Sequence, residues 1–394
     1  SKLDKDLYYY VTSKKEKLWC YRHFYYDALG KRREKAKRRF TTEKEAYKAL
    51  LEVKANLLNG NTKQVEHSNL TISEWLDIWY DTHKNDWKVT SRDQRRMAIR
   101  DQMKPLLGSY KLAELDKTTY KRVYINKLLE KYKPSTVQLF HRLFKVAINA
   151  AVDDEIIPRN RFNKITIQQD EPKDNFLTAE ELKKLLAAAK QYENETNYTF
   201  LLTLAYSGMR KGEALGIQWK NVDFDAHTIT VERTKDNKGV RTPKTKNSYR
   251  TILMDDLSIK QLQQYKTWCK QVKLSYGKKL KDNDFVFISF QTGEPVSDTT
   301  VMYGLRRTIK KANEKVETSQ GKIKEVTLHG LRHTHATLLI SQRIPVKVIA
   351  ERLGNTPQMI FDIYGHTFKE LESEAVTAFN DSLKHSAVTS AGAD

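Results

Sequence analysis

Within the first sixty residues, the pattern of apolar and polar positions changes from the alternation of strands to the spacing of a helix. The stretches LYYYVTSKK, LWCYRHFYYD and KAKRRFTT are short and rich in aromatic and alternating residues, which predicts three short strands. Thr42 and Glu45 have the spacing of a capping box, and apolar positions from Ala46 to Leu57 follow at helical intervals. We therefore expect residues 1–60 to form a three-stranded sheet with one helix.

The next segment, residues 68–168, follows the polar link NGNTKQVEHSN and repeats its apolar positions at helical spacing. A second capping box lies at Thr71–Glu74, and further helical patterns follow around 90–106, 117–132 and 134–153. These patterns predict an all-helical bundle.

A third segment, residues 174–394, is also mainly helical but includes a short antiparallel sheet. TITVER and YRTILM have the pattern of hairpin strands around the polar loop DNKGVRTPKTKNS, and DFVFIS predicts a short buried strand. Near the C-terminal end, apolar residues recur every four positions and predict one more helix; they are Leu371, Ala375, Phe379 and Leu383. The predicted fold class is multidomain, mainly α with small antiparallel β-sheets.

The charge is strongly unbalanced toward basic residues. Lys and Arg number 70 against 49 Asp and Glu, a formal net charge of +21, which favours nucleic acid as a partner. The run KRREKAKRR lies on a predicted two-stranded ribbon, which can enter a major groove, although a solvated charged face is the alternative. DNA contacts are expected from Lys31, Arg32, Arg33, Lys35, Lys37, Arg38 and Arg39, and, in the helical segment, from Arg142 and Lys145.

Cysteine use and hydropathy bear on the compartment. Cys20 and Cys269 are far apart, which provides neither a disulfide framework nor a Cys-based zinc site and is typical of a reducing compartment. No run approaches the roughly 18 apolar residues of a membrane span, and the N-terminus lacks a signal-peptide core. We therefore expect a cytoplasmic protein with no membrane contact.

One short stretch, HGLRHTHATLL at residues 329–339, combines three histidines and an arginine before an apolar run. His329 and His333 are four apart, as zinc ligands on a helix can be, but the Glu of H-E-x-x-H and an obvious third ligand are missing. The same histidines could grip an anionic group together with Arg332, or be ordinary polar residues at a helix start. We expect neither a metal nor another cofactor.

Four short motifs in a fixed order decide between these alternatives. They are Arg210-Lys211-Gly212-Glu213, Pro243-Lys244-Thr245, His329-Gly330-Leu331-Arg332-His333, and Leu353-Gly354 followed by Tyr364. In this order they resemble the tyrosine recombinase (phage integrase) family, most of all the three-domain integrases of Gram-positive phages and integrative elements. The resemblance implies three domains: an arm-type DNA-binding domain at 1–60, a helical core-DNA-binding domain at 68–168, and a mostly α catalytic domain with a C-terminal helix or tail at 174–394.

The chemistry of a phosphodiester explains why the family needs these residue types. The resemblance implies that Arg210 and Arg332 hold the two non-bridging oxygens by charge-assisted bonds and stabilise the charge that builds on them. It also implies that Tyr364 attacks phosphorus and forms a covalent 3′-phosphotyrosine. Its phenol must lose a proton during this attack, because its ordinary pKa is about 10.

The remaining roles are likewise implied by the resemblance. Lys244, which we prefer over Lys246, would protonate the departing 5′ oxygen. His329 would bind a non-bridging oxygen or shuttle the proton of the nucleophile. Glu213 and His333 are expected to support the site, His333 as a buttress that hydrogen-bonds within it.

One position departs from the family pattern. Asn355, nine residues before Tyr364, stands where the family usually has His and sometimes Trp. An asparagine amide donates a hydrogen bond to a phosphate oxygen but carries no positive charge. We therefore expect Asn355 to join the catalytic set in a weaker role.

The predicted function is that of a site-specific recombinase that integrates and excises a mobile element. The resemblance implies a homotetramer on two DNA duplexes with core and arm sites, with an excisionase or DNA-bending protein as a further candidate partner. The main alternative is a type IB topoisomerase, which shares the catalytic set but relaxes supercoils as a monomer. A DNA-binding protein with a degenerate active site is a third hypothesis.

Overall fold

The computed structural model describes residues 1–27, 29–171, 174–243, 246–314, 316, 321–370 and 376, without the side chains of 246 and 365–370. The chain divides into two compact units, Ser1–Pro172 and Lys173–Asp394. A further division of the first unit, into residues 1–60 and 68–168, stays a prediction. The four apolar positions of the last predicted helix, from Leu371 to Leu383, lie outside the described residues.

The first unit begins with a three-stranded antiparallel sheet, which confirms the prediction from the alternating pattern. The strands are β1 (Leu7–Val11), β2 (Lys17–Tyr26) and β3 (Arg32–Phe40), in the order β1-β2-β3. Helix α1 (Glu43–Leu58) begins where the Thr42 hydroxyl accepts a hydrogen bond from the backbone N–H of Glu45. Its buried residues Ala46 and Leu50 form a small core with the sheet.

The rest of the first unit is helical, as the spacing of apolar residues predicted. Its helices are α2 (Thr62–Glu66), α3 (Ile72–His83), α4 (Val89–Ala98), α5 (Lys104–Leu107), α6 (Lys117–Tyr120), α7 (Lys127–Leu129) and α8 (Pro134–Asp153). The π-helical segments Ile99–Met103 and Lys121–Asn126 join α4 to α5 and α6 to α7. The sequence patterns did not predict α2, which lies in the polar link and buries only Val65.

The second unit is built around α10, a helix that is buried on almost every side. Its helices are α9 (Ala179–Tyr192), α10 (Glu195–Ser207), α11 (Lys211–Leu215), α12 (Asp256–Ser275), α13 (Asp298–Asn313), α14 (Leu328–Ser341), α15 (Val346–Leu353) and α16 (Pro357–Glu370). Among the residues described in both units, no helix has the length and apolar character needed to cross a bilayer.

Two small antiparallel sheets complete the second unit. One contains β4 (Val222–Asp223), β5 (Thr228–Val231) and β8 (Arg250–Leu253), and the other contains β6 (Thr234–Asp236) and β7 (Gly239–Arg241). The pairing of β5 with β8 confirms the predicted hairpin strands, whereas the β6–β7 hairpin lies in the segment between them that was predicted as loop.

The strand predicted at residues 284–289 is wrong. This segment makes only isolated bridges, from Gln218 to Phe285 and from Ile288 to Pro295. Its side chains at Val286, Phe287 and Ile288 are buried in the main core of the second unit. The apolar run therefore reflects burial of an irregular segment rather than a place in a continuous sheet.

Candidate active site

A sharp turn between α10 and α11 positions Arg210. Helix α10 ends at Gly208, which has a left-handed conformation with φ of 63°. A Cβ atom there would lie 2.6 Å from Cδ2 of Leu353 and 2.8 Å from the ring of His335. Glycine permits both this backbone conformation and the close approach. The chain reverses at this point, and Arg210 becomes the residue that precedes the first turn of α11.

Two polar side chains hold the guanidinium of Arg210. Nη1 donates to Oε1 of Glu213 at 2.7 Å, and Nη2 donates to the amide oxygen of Asn355 at 2.7 Å. Because the oxygen of Asn355 faces the guanidinium, its amide nitrogen points away from Arg210. The side chain of Arg210 is 35% exposed, so it stays accessible to a ligand. The structure thus brings three predicted site residues together.

Glu213 lies buried between two arginines, and sequence reasoning missed the second, Arg250. The glutamate side chain is 3% exposed, and Nη2 of Arg250 donates to its Oε2 at 2.9 Å. Arg250 also donates from Nε to the carbonyl oxygen of Arg352 at 2.7 Å, which ties β8 to the end of α15. Burial alone would raise the pKa of Glu213, but Arg250 and Arg210 outweigh it and hold that pKa below its ordinary value.

Replacing Glu213 by glutamine is expected to lower the free energy of unfolding by about 3 kcal/mol at neutral pH, because two guanidiniums lose their shared counter-charge. The folded pKa of Glu213 lies below its ordinary 4.5, so its stabilisation is fully present above pH 4.5 and is lost as the pH falls through the folded value. Denaturant unfolding at a series of pH values should show the difference between native and variant proteins narrowing in acid.

A surface glutamate provides the matched control for this prediction. Glu180 is 73% exposed and pairs with Lys183 on α9, so Glu180→Gln should change the free energy of unfolding by less than about 1 kcal/mol. A Glu213→Gln protein as stable as the native one at pH 7 would contradict the structural role given to this carboxylate.

Arg332 lies on α14 and is almost completely buried, with 3% of its surface exposed. Its Nη1 donates to the carbonyl oxygen of Gly208 at 2.9 Å, while its buried Nη2 has no hydrogen-bond partner within the described part of the chain. Burial and the charge of Arg210 lower the pKa of Arg332 to about 9, which leaves it cationic at neutral pH. A buried charged donor without a partner is costly, and an anion beside it would remove that cost.

Three aromatic rings follow one another next to Arg332. The rings of His329 and His333 lie 4.7 Å apart edge to face, and those of His333 and Tyr364 lie 5.5 Å apart. Nδ1 of His333 lies 2.8 Å from the hydroxyl oxygen of Tyr364. Tyr364 is 4% exposed, and burial raises its pKa to about 12 although Arg332 opposes the shift. The phenol is therefore protonated at neutral pH.

The contact with Tyr364 differs from the role expected for each histidine. Sequence reasoning named His329 as a candidate to shuttle the tyrosine proton and His333 as a buttress, but the histidine hydrogen-bonded to the phenol is His333. His329 stays open to solvent on one side. Desolvation on its other side, together with the charges of His333, Arg332 and Arg210, lowers its pKa to about 4. The ring of His329 is therefore neutral at neutral pH, and the charges of Arg332 and Arg210 act on it.

The structure gives no support to the zinc hypothesis. Within the described residues, no group of three or more His, Cys, Asp or Glu side chains is placed to hold a metal ion. The third histidine of the stretch, His335, bonds the carbonyl oxygen of Ala205 through Nδ1 and accepts from Nε of Arg352 at Nε2, each at 2.9 Å. These contacts give His335 a structural role, since both of its ring nitrogens are bonded to protein atoms.

The candidate general acid cannot be placed in the same way. Lys244 lies outside the described residues, and the side chain of Lys246 is not described either. The preference for Lys244 over Lys246 stays a prediction.

The predicted DNA contacts are distributed over the first unit. In the basic run before and along β3, every basic residue is exposed except Lys35. The Nζ of Lys35 donates to the carbonyl oxygen of Val65 at 2.6 Å and to the hydroxyl of Ser68, so this residue departs from the predicted set because its amine faces protein. Arg142 is exposed and Lys145 half-buried on α8. The other contacts stay predictions.

Sequence models of known families match the chain in three parts. The model of the phage integrase family matches residues 175–370, the phage integrase N-terminal SAM-like domain matches 71–129, and an arm DNA-binding domain matches 8–57. An integrase of a Staphylococcus phage is 28% identical over 357 residues, which are 82% of this chain and 96% of that protein.

Solved structures show the same fold. The integrase of transposon Tn1549 in complex with transposon right end DNA has a TM-score of 0.66 at 21% identity, covering 78% of this chain and 100% of that one. A lambda integrase tetramer bound to a Holliday junction has a TM-score of 0.56 at 18% identity, covering 90% of this chain and 97% of that one. The chain belongs to the phage integrase family of tyrosine recombinases. Enzymes of this family cleave and rejoin DNA through a covalent tyrosine intermediate.

Proposed function

We propose that this recombinase binds the scissile phosphate of a DNA core site between Arg210 and Arg332 and attacks it with Tyr364. The unpartnered Nη2 of Arg332 carries the proposal, because a buried cationic donor beside a phenol is suited to an anion that arrives with the substrate. One non-bridging oxygen would meet each arginine. Both guanidiniums would then stabilise the negative charge that grows on those oxygens in the transition state.

The proposed cleavage step exchanges one phosphoester bond for another. The hydroxyl oxygen of Tyr364 bonds to phosphorus as the bond from phosphorus to O5′ breaks, leaving a 3′-phosphotyrosine and a free 5′-hydroxyl. Lys244 would supply the proton that O5′ takes up, with Lys246 as the alternative. His329 would donate a hydrogen bond to a non-bridging oxygen. Rejoining reverses these bond changes and needs neither ATP nor a metal.

Glu213 and Asn355 would keep Arg210 in place for this step. The carboxylate fixes one edge of the guanidinium and the amide oxygen fixes the other. The amide nitrogen of Asn355 points away from Arg210 and could donate to the bound phosphate, which is the weaker catalytic role that its chemistry allows.

The first unit would deliver the DNA. We assign residues 1–60 to arm-type sites, residues 68–168 to core sites and residues 174–394 to catalysis. The net charge of +21 and the exposed basic residues along β3 support contact with the phosphate backbone.

We further propose that the chain integrates and excises a mobile element in the cytoplasm of a bacterial host, where the chromosome lies. A homotetramer would exchange strands between two duplexes, by analogy with the lambda integrase tetramer. An excisionase or a DNA-bending protein would join some of these complexes.

A recombination assay tests this function against the topoisomerase alternative. A supercoiled plasmid that carries one attachment site of the element is incubated with the purified protein and a second, linear attachment site. The proposal predicts joined products that contain both DNAs and depend on both sites. Relaxation of a plasmid without either site, with no joined product from the paired sites, would overturn it in favour of topoisomerase activity.

A further inference from the structure

The hydrogen bond between His333 and Tyr364 serves neither the binding of the phosphate by the two arginines nor the protonation of O5′. The two side chains come from α14 and α16, and their 2.8 Å contact joins an imidazole nitrogen directly to the atom that would attack phosphorus. A phenol has one proton and two lone pairs. If the proton is directed at His333, a lone pair of the same oxygen remains free to bond to phosphorus.

The protonation states allow this direction of the bond. Burial and the charge of Arg332 lower the pKa of His333, which favours the neutral ring at neutral pH. The phenol keeps its proton, because burial raises the pKa of Tyr364 to about 12. When the ring proton of His333 lies on Nε2, the hydroxyl of Tyr364 donates and Nδ1 accepts, and this is the tautomer that proton transfer to His333 requires.

Each titratable or charged group described around His333 belongs to this small cluster. His329 and Arg332 face it from α14, and Tyr364 faces it from α16. None of them is an anion that would hold a proton on the imidazole. The ring of His329 packs edge to face on that of His333 and, among the described contacts, makes no hydrogen bond to the phenol.

We propose that His333 is a catalytic residue that accepts the proton of Tyr364 during cleavage and returns it during rejoining. In cleavage, the proton moves from the hydroxyl to Nδ1 as the bond from oxygen to phosphorus forms and the bond to O5′ breaks. In rejoining, the 5′-hydroxyl attacks phosphorus and returns its proton to the lysine that supplied it, the phosphotyrosine bond breaks, and the imidazolium reprotonates the phenolate. The inference rests on the proposed function, because it takes Tyr364 as the nucleophile.

A glutamine at position 333 separates proton transfer from positioning. Its amide keeps a hydrogen-bond acceptor for the phenol but does not take up a proton near neutral pH. Single-turnover cleavage of a nicked duplex that carries the core site should slow by about 10²-fold in His333→Gln, the lower end of the usual contribution of a general base. The decline of the native rate in acid, where His333 becomes protonated, should disappear in this variant.

A more acidic nucleophile provides the decisive readout. When 3,5-difluorotyrosine replaces Tyr364 in the His333→Gln background, the more acidic phenol depends less on a base, and cleavage should recover by about tenfold or more. His335→Gln is the matched control: it changes a histidine of the same helix that contacts Ala205 and Arg352 instead of Tyr364. That variant should keep the acid decline and gain nothing from the analogue.

Each outcome bears on a definite claim. If His333→Gln cleaves at the native rate, or cleaves slowly and the analogue does not restore the rate, the proposal that His333 accepts the proton is overturned. If the variant melts far below the native protein, the analogue is placed at position 364 of the otherwise native chain. The solvent deuterium isotope effect on cleavage should then decrease, and an unchanged effect overturns the proposal. Adduct formation by Tyr364→Phe would instead refute the proposed function.

Discussion

Replacing Arg332 by lysine is expected to slow covalent cleavage by about 10²- to 10³-fold, with little loss of DNA binding. The guanidinium uses Nη1 to hold the carbonyl oxygen of Gly208 and leaves Nη2 for the phosphate. A lysine ammonium is a single point charge without this fork, so it cannot fill both positions in the same geometry. Single-turnover cleavage of the nicked core-site duplex, with binding measured separately, checks the prediction.

An exposed arginine of the same unit serves as the control for this substitution. Arg306 lies on the surface of α13, where its guanidinium is 5.9 Å from the ring of Tyr303. Arg306→Lys should cleave at the native rate. Equal rates for Arg332→Lys and the native protein would show that the buried guanidinium is not part of a phosphate clamp.

Some features of the fold and of the active site were predictable from the sequence, and others were not. The stretch from His329 to Ala336 was recognisable because its polar residues precede an apolar run and because Arg210 and Tyr364 accompany it in a fixed order. The strands β1 to β3 and helix α1 were also predictable, since their alternation, spacing and capping residues are local signals.

Contacts between distant segments were not visible in the same way. Arg250 meets Glu213 across 37 residues, and only the pairing of β8 with β5 places it there. The bond from His333 to Tyr364 depends on how α14 and α16 pack, which residue spacing does not encode. The buried segment at 284–289 misled the prediction because an apolar run looks the same in a strand and in an irregular core segment.

Replacing Tyr364 by phenylalanine is expected to abolish the covalent adduct. The substitution removes one oxygen, so the buried ring can keep its packing while the nucleophile and the hydrogen bond to His333 are lost. On the nicked core-site duplex, native protein should accumulate an adduct because the short 5′-hydroxyl strand diffuses away before rejoining. The variant should bind the duplex with native affinity and form no adduct.

The central claim is that the hydroxyl of Tyr364 becomes bonded to the 3′-phosphate of the cleaved strand. The most direct measurement is mass spectrometry of the trapped native adduct after digestion with protease and nuclease. We predict a nucleotide attached through its 3′-phosphate to the peptide that contains Tyr364. Attachment to any other residue, or through a 5′-phosphate, would contradict the account.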